Sequence, residues 1–383
     1  MKLFKGVVLA ILLIALSGCG PAAVTEPAGA GGNEPQTDTG PDPTGADRSA
    51  PTSTLTIEPS APDQIPTQAA DAQAAQKEPL PVTGELVTVQ EYPVPTGSHP
   101  HDVAPAPDGS VWYTAQGSGE LGILDPESGE TRHIPLGAGS APHGVIVGPD
   151  GAAWITDGGL NAILRVDTNP DQVDVFPLPE GSGRANLNTA TFDLQGVLWF
   201  TGQNGIYGRL DPSAGQVEVF DAPGGRGPYG ITTTPGGDVY YASLAGSHIA
   251  KIDRETGEAV RLDPPTARQG ARRVWSDSQG RLWVSEWNAG QLGMYDPERD
   301  EWREWKLPGD RPQPYAVYVD DQDQVWLSDF GANAMVRFDP ESERFEVIPL
   351  PSSPANVRQI LGRPGEIWGA ESGVDRIVVI RTR

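Results

Sequence analysis

From residue 98 onward this chain states one short formula seven times, and a fixed period of that size constrains a fold more tightly than composition does. The clearest copy is Pro142-His143-Gly144-Val145, an Asp150-Gly151 turn, then Ala153-Trp154-Ile155-Thr156-Asp157. Aligned on the aromatic residue after the turn, the copies fall at Trp112, Trp154, Trp199, Tyr240, Trp283, Trp326 and Trp368, spaced by 42, 45, 41, 43, 43 and 42 residues. Seven units of this length, each with several short strand signals, predict an all-β protein, a seven-bladed β-propeller of four-stranded antiparallel blades.

Within the second unit, residues 145–147 read as an apolar inner strand and Asp150-Gly151 as a hairpin turn. Residues 153–156 and 163–166 follow as strands, and the alternating Val173-Asp174-Val175-Phe176 reads as the outer one. The last unit is one strand short, because only residues 376–380 follow Trp368 as a strand before the chain stops at Arg383. At the other end, Leu86-Val87-Thr88-Val89-Gln90-Glu91-Tyr92-Pro93 matches the outer-strand pattern of residues 216–220 and 345–349. A strand within residues 85–95 is therefore expected to complete the seventh blade, which removes an exposed sheet edge.

What precedes the repeat has a different character. Lys2 and Lys5 stand before an apolar run over residues 7–16, a secretory-signal pattern too short to span a bilayer comfortably. It ends in Leu16-Ser17-Gly18-Cys19, which resembles the bacterial lipobox; that resemblance implies cleavage of residues 1–18 and a lipid on Cys19. The alternative is an ordinary cleaved signal that leaves a free thiol. Cys19 is the sole cysteine, so an intramolecular disulfide is excluded. Residues 20–84 contain no aromatic residue and only Arg48 and Lys77 as cations, so the segment over 19–84 is expected to be a disordered tether ahead of a propeller over 85–383. The expected location is extracytoplasmic, lipid-anchored to a bacterial membrane. With 51 acidic against 27 basic residues and a formal charge of −24, the chain repels polyanions, so nucleic acid is not an expected partner. A monomer is expected.

The position 11 residues before each marker aromatic holds His101, His143, Asn188, Tyr229, Arg272 and Tyr315; in the seventh unit, whose turn is one residue shorter, it falls on Arg358. In a propeller these seven positions ring the central opening, so His, Asn, Tyr and Arg there point to ligand binding at the rim. Three residues past the marker stand Ala115, Asp157, Gly202, Ser243, Glu286, Asp329 and Glu371. Four acids on one rim would attract a cation; alternatively they pair with Arg272 and Arg358 or cap loops. Trp287 follows Glu286, where an aromatic face can stack on a ligand ring.

The repeats Pro142-His143-Gly144-Val145, Pro228-Tyr229-Gly230-Ile231, Trp199-Phe200-Thr201 and Ile206-Tyr207-Gly208-Arg209 resemble those of the streptogramin B lyase (virginiamycin B lyase) family, over roughly residues 85–383. That resemblance implies a lyase that opens a cyclic depsipeptide by elimination. A histidine would take the proton α to a carbonyl, with magnesium (Mg2+) as Lewis acid. The family's two histidines stand at the unit-start position of the last two blades, which here hold Tyr315 and Arg358. Arginine does not act as a base near neutral pH, so the family's catalytic pair is absent. Only Glu371 survives near the family's last metal ligand.

His101 and His143 are themselves one repeat apart, and Asp157 lies 14 residues after His143, the spacing the family's second histidine and its acid show. A rotated site is thus conceivable on the first two blades, with His143 as base, His101 as substrate ligand and Asp157 as metal ligand. Against it, both histidines can be structural residues kept by repeat duplication, and His99, His133 and His248 fall off the unit-start position. Two functions follow. One is a lipid-anchored, metal-assisted lyase acting on a cyclic ester or depsipeptide. The other is a non-catalytic propeller that binds a small molecule, peptide or protein with Asn188, Tyr229, Arg272, Trp287, Tyr315 and Arg358 on its rim.

Overall fold

Each repeat folds into a single antiparallel sheet, and the repeats close on themselves. The computed structural model describes residues 87–382, so the signal, the Cys19 lipidation site and the tether lie outside the described residues. Within them are seven four-stranded sheets and no helix. The inner strands of blades one to seven are Pro100–Pro105, Pro142–Val147, Leu187–Phe192, Pro228–Thr233, Ala271–Ser276, Pro314–Val319 and Val357–Arg363. Each packs against the next and the last against the first, which makes a closed ring around one axis.

The closing strand is where its residue pattern placed it. Thr88–Pro93 pairs antiparallel with Arg376–Arg381, from Thr88 opposite Arg381 to Pro93 opposite Arg376, as the outermost strand of blade seven. Val87, Val89, Tyr92 and Val94 are buried there. Blade two differs from the sequence reading in one detail. Its third and outer strands run over Ala162–Thr168 and Asp171–Pro177, longer than the 163–166 and 173–176 expected, so the turn between them is shorter.

The marker strands explain why the repeat signal is strong. All five residues of Ala153–Asp157, Leu198–Gly202, Leu282–Glu286 and Val325–Asp329 are buried, because each such strand is covered on both faces by neighbouring blades. The marker indoles lie between sheets, with Trp199, Trp283, Trp326 and Trp368 at 1% exposure or less. Burial removes roughly 150–250 Å2 of ring surface from water, worth on the order of 4–6 kcal/mol per ring at ~25 cal/mol per Å2 before entropy is counted. Each buried indole N–H also needs an acceptor. Trp199, Trp283 and Trp326 donate to Asp193, Asp277 and Asp320 at 3.0, 2.9 and 2.8 Å, six residues earlier. The same carboxylates accept backbone N–H groups of their own turns, as Asp193 does from Gln195 and Val197. The Asp of the turn and the Trp of the next strand are therefore one device.

A second device shapes the axis. In every blade the pairing of the inner strand with the marker strand slips at the unit-start position, forming a β-bulge. A hydroxyl two residues past the marker fills the gap in five blades. Thr156 accepts the Gly144 N–H at 2.9 Å and donates to the Asn188 carbonyl of the next blade at 2.5 Å. Thr114, Thr201, Ser285 and Ser328 do the same in their blades. Gly144 has no room for a side chain, since a Cβ there would lie 2.7 Å from the Asn188 carbonyl oxygen. Blades four and seven carry Ala242 and Ala370 instead of a hydroxyl.

Candidate functional site

The bulges turn each unit-start side chain toward the axis, where the residues fill the opening instead of merely lining it. His101, His143, Asn188, Tyr229, Arg272 and Tyr315 are all buried, and only Arg358 is half-buried. The residues that follow them form a second layer, and here lies what the sequence reading missed. Arg273 reaches across from blade five to Asp102 of blade one at 3.2 Å and to the Thr189 hydroxyl of blade three. Arg273 and Asp102 are exposed by 2% and 1%. The signal was available as the residue after each unit start, which reads Asp102, Gly144, Thr189, Gly230, Arg273, Ala316 and Gln359.

Hydrogen bonds fix the protons in this cluster. Arg273 donates to the Thr189 hydroxyl, which donates to Asn188 Oδ1 at 2.8 Å. That leaves the Asn188 amide N–H to donate to His143 Nε2 at 3.1 Å. His143 therefore carries its proton on Nδ1, and that buried N–H has no partner. His101 is arranged the opposite way: its Nδ1 donates to Asp102 at 2.8 Å, so Nε2 holds the lone pair. The two rings lie 3.7 Å apart between centroids. Burial holds both imidazoles well below 6.5, reinforced for His101 by Arg358, Arg273 and Arg272 and for His143 by His101, so both are neutral. Burial pushes the Asp102 carboxyl up, and Arg273 and His143 oppose the shift.

The other half of the ring is aromatic and cationic. The Arg272 guanidinium sits 3.6 Å from the Tyr315 ring centroid and 4.8 Å from that of Trp287, and it donates to the Tyr229 hydroxyl at 2.9 Å. Tyr229 and Tyr315 share a hydrogen bond between their hydroxyls. Phe330 stacks on Tyr315 at 4.9 Å, and Trp287 meets both edge-on. Arg358 donates to the Ser372 hydroxyl at 2.8 Å.

The four acids past the markers are all buried, and none of them joins a group, among the described residues, whose ligand atoms could share a metal ion. Asp157 accepts four hydrogen bonds, from the Ser140 hydroxyl at 2.5 Å and the N–H groups of Ala141, Gly159 and Leu160. Asp329 caps its loop through the N–H groups of Gln313 and Gly331. Glu286 accepts from the Gln291 amide, and burial raises it to about 8. Glu371 faces the Glu91 carboxylate; burial, then the Glu91 charge and a side-chain hydrogen bond to it, push it to about 9. The carboxylate grouped with the two histidines is Asp102, not Asp157 or Glu371. Of the remaining histidines, His99 is exposed, His133 lies on an outer strand against the Tyr113 hydroxyl, and His248 is buried.

Among the described residues, one group has the geometry to hold a metal ion: His101, Asp102 and His143, with ligand atoms within 4.8 Å of one another. Magnesium requires an octahedron built mainly from oxygen. This group offers two imidazoles and one carboxylate already engaged by His101 and Arg273, with a guanidinium beside it. The donor set does not fit magnesium.

Residues 87–380 match the model of the virginiamycin B lyase family. The chain belongs to that family. Its fold is shared with a solved streptogramin B lyase at 22% identity and a TM-score of 0.71, covering 78% of this chain and 98% of that one. A catalytically inactive virginiamycin B lyase from Staphylococcus aureus with quinupristin is similar at 21% identity and a TM-score of 0.72, with 78% and 100% covered. So is a structure of YCF48 bound to a peptide, at 16% identity and 0.61, with 77% and 95% covered. No curated protein matches by sequence. At such identities the likeness to solved structures concerns the fold, and the virginiamycin B lyase family membership does not carry the activity with it.

Proposed function

We propose that this chain is a ligand-binding propeller whose site is the mouth of the central channel, where it holds a small molecule or peptide without opening it. The observation that carries this reading is the proton arrangement at His143. Its only lone pair in the ring plane is taken by Asn188, and a general base needs that lone pair free. The family's own catalytic positions hold Tyr315 and Arg358, and the donor set of the one metal-capable group among the described residues does not suit magnesium.

One observation favours catalysis as the second reading, and it moves the base from His143 to His101. His101 is backed by Asp102 at 2.8 Å, the arrangement that orients an imidazole with its Nε2 lone pair outward. In that role His101 would take the proton α to a carbonyl of a cyclic ester or depsipeptide. Incubation with a streptogramin B and simple lactones, with and without magnesium, decides between the two. The binding reading expects no turnover above buffer for the intact chain. Turnover lost in His101→Ala would overturn it in favour of the lyase, and turnover lost only in His143→Ala would restore the sequence-derived assignment.

The site is proposed to work outside the cytoplasm, held to a membrane by lipid on Cys19. The lipobox-like Leu16-Ser17-Gly18-Cys19 supports this. Cys19→Ala should release the protein from the membrane fraction; continued membrane association would count against a lipid anchor.

A further inference from the structure

We infer that the channel mouth is built to take a carboxylate attached to an aromatic or other planar group, with Arg272 receiving the charge and Trp287 flanking the ring. This rests on the ligand-binding reading and gives it a chemistry. Three features carry it.

The first is charge. Among the described residues Arg272 pairs with no carboxylate; its neighbours are the Tyr229 hydroxyl and the faces of Tyr229, Tyr315 and Trp287. A buried, unpaired guanidinium is costly, and ring faces offset only part of that cost. The Asp102 carboxylate is held by Arg273 in the layer below. Positive charge therefore accumulates at the mouth of a chain whose formal charge is −24. Tyr315 reports the field: burial alone would raise its phenol, yet Arg272, Arg358 and Arg273 bring it below its ordinary 10.

The second is the pattern of unmet hydrogen bonds. Arg272 Nε–H and His143 Nδ1–H are both buried without partners, and both are donors. Tyr229 neighbours both side chains, its ring 4.6 Å from the Arg272 guanidinium and 6.1 Å from the His143 ring. Orphaned donors of this kind ask for an acceptor, and a carboxylate supplies two oxygens. A metal cation would face the same donors and guanidinium as repulsion.

The third is the rim. Trp287 and Phe330 are half-buried, set edge-on to each other at 5.4 Å over the buried Tyr315. A planar group attached to the carboxylate would meet aromatic edges and faces there.

A carboxylate can arrive on a free small molecule or at a peptide C-terminus, so the test uses both. N-acetylphenylalanine and a short peptide ending in phenylalanine are titrated calorimetrically, each against its C-terminal amide. Thermal melts of the intact chain and of Arg272→Gln and Trp287→Ala run alongside. The expected result is that the acids bind at least tenfold more tightly than the amides, and that the preference shrinks as salt is raised. If only N-acetylphenylalanine binds, the ligand is a small molecule; if the peptide binds as well, a C-terminus is accepted. Arg272→Gln should abolish the preference for acid without lowering the melting temperature of the unliganded protein. Trp287→Ala should weaken the acids while leaving some preference. Equal binding of acid and amide, or no binding of either acid at millimolar concentration, overturns the inference. Binding of amides or of a neutral lactone without the acids overturns it while leaving the ligand-binding reading standing; binding of nothing in the panel removes both. A lower melting temperature in Arg272→Gln with unchanged acid preference marks a structural guanidinium and also overturns it.

Discussion

A hydroxyl that bridges two blades is a small group with two obligations. Thr156 satisfies the Gly144 N–H within its own blade and the Asn188 carbonyl of the next, both buried beside the axis. Thr156→Val keeps the volume and removes both hydrogen bonds, so it should destabilise the fold by on the order of 2–4 kcal/mol, since each buried group left unpaired costs about 1–3. Urea denaturation measures this, and a midpoint unchanged from the intact chain would refute the bridging role. Thr156 stands two residues past the Trp154 landmark, yet hydroxyls in a strand interior carry no special pattern. The same holds at the mouth. His101, His143 and Arg272 were legible as a ring because their spacing is rigid. Arg273 and Asp102 were not, because their pairing spans 171 residues and depends on where two side chains meet across the axis.

At the scale of a strand, Glu371 ends Glu366–Glu371 opposite Val357 and Arg376, sealed into the seventh blade near Glu91 of the closing strand. Its folded value of about 9 lies above the ordinary 4.5. The folded state therefore holds a proton that the unfolded chain releases. The stabilisation is fully present below about pH 4.5 and is lost as pH rises toward 9. Glu371→Gln should remove this slope and raise stability at pH 8 by on the order of 2 kcal/mol: holding the proton costs about 1.4 kcal/mol for each pH unit above the ordinary value, less what relaxation of the blade recovers. Denaturation curves at pH 5 and pH 8 check it; an intact chain equally stable at both would refute the buried neutral acid. The sequence put Glu371 on a rim because position along a strand is readable, whereas the face it turns to depends on the neighbouring blade. The closing strand was readable for a complementary reason: one blade lacked a strand, and Leu86-Val87-Thr88-Val89 alternated as an outer strand does.

For the molecule as a whole, closure is the condition on which the rest depends. Deleting residues 85–95 strips Val87, Val89, Tyr92 and Val94 from the seventh blade, each 8% exposed or less. At about 1.5–3 kcal/mol per buried side chain, the loss is on the order of 6–12 kcal/mol, as large as the stability of a typical domain. The truncated chain should show no cooperative melt near that of the intact one in far-ultraviolet circular dichroism; an unchanged melting temperature would show that the ring holds without its seam. The seam also has a topological meaning. Thr88 and Arg381 are ladder partners, so the propeller begins and ends side by side at one edge of one sheet. A two-residue hairpin turn from Arg381 to Thr88 would make the propeller strands one circle. Reopened at the Asp150-Gly151 turn, the same circle would regain every strand pairing, so the ring has seven blades and no first one.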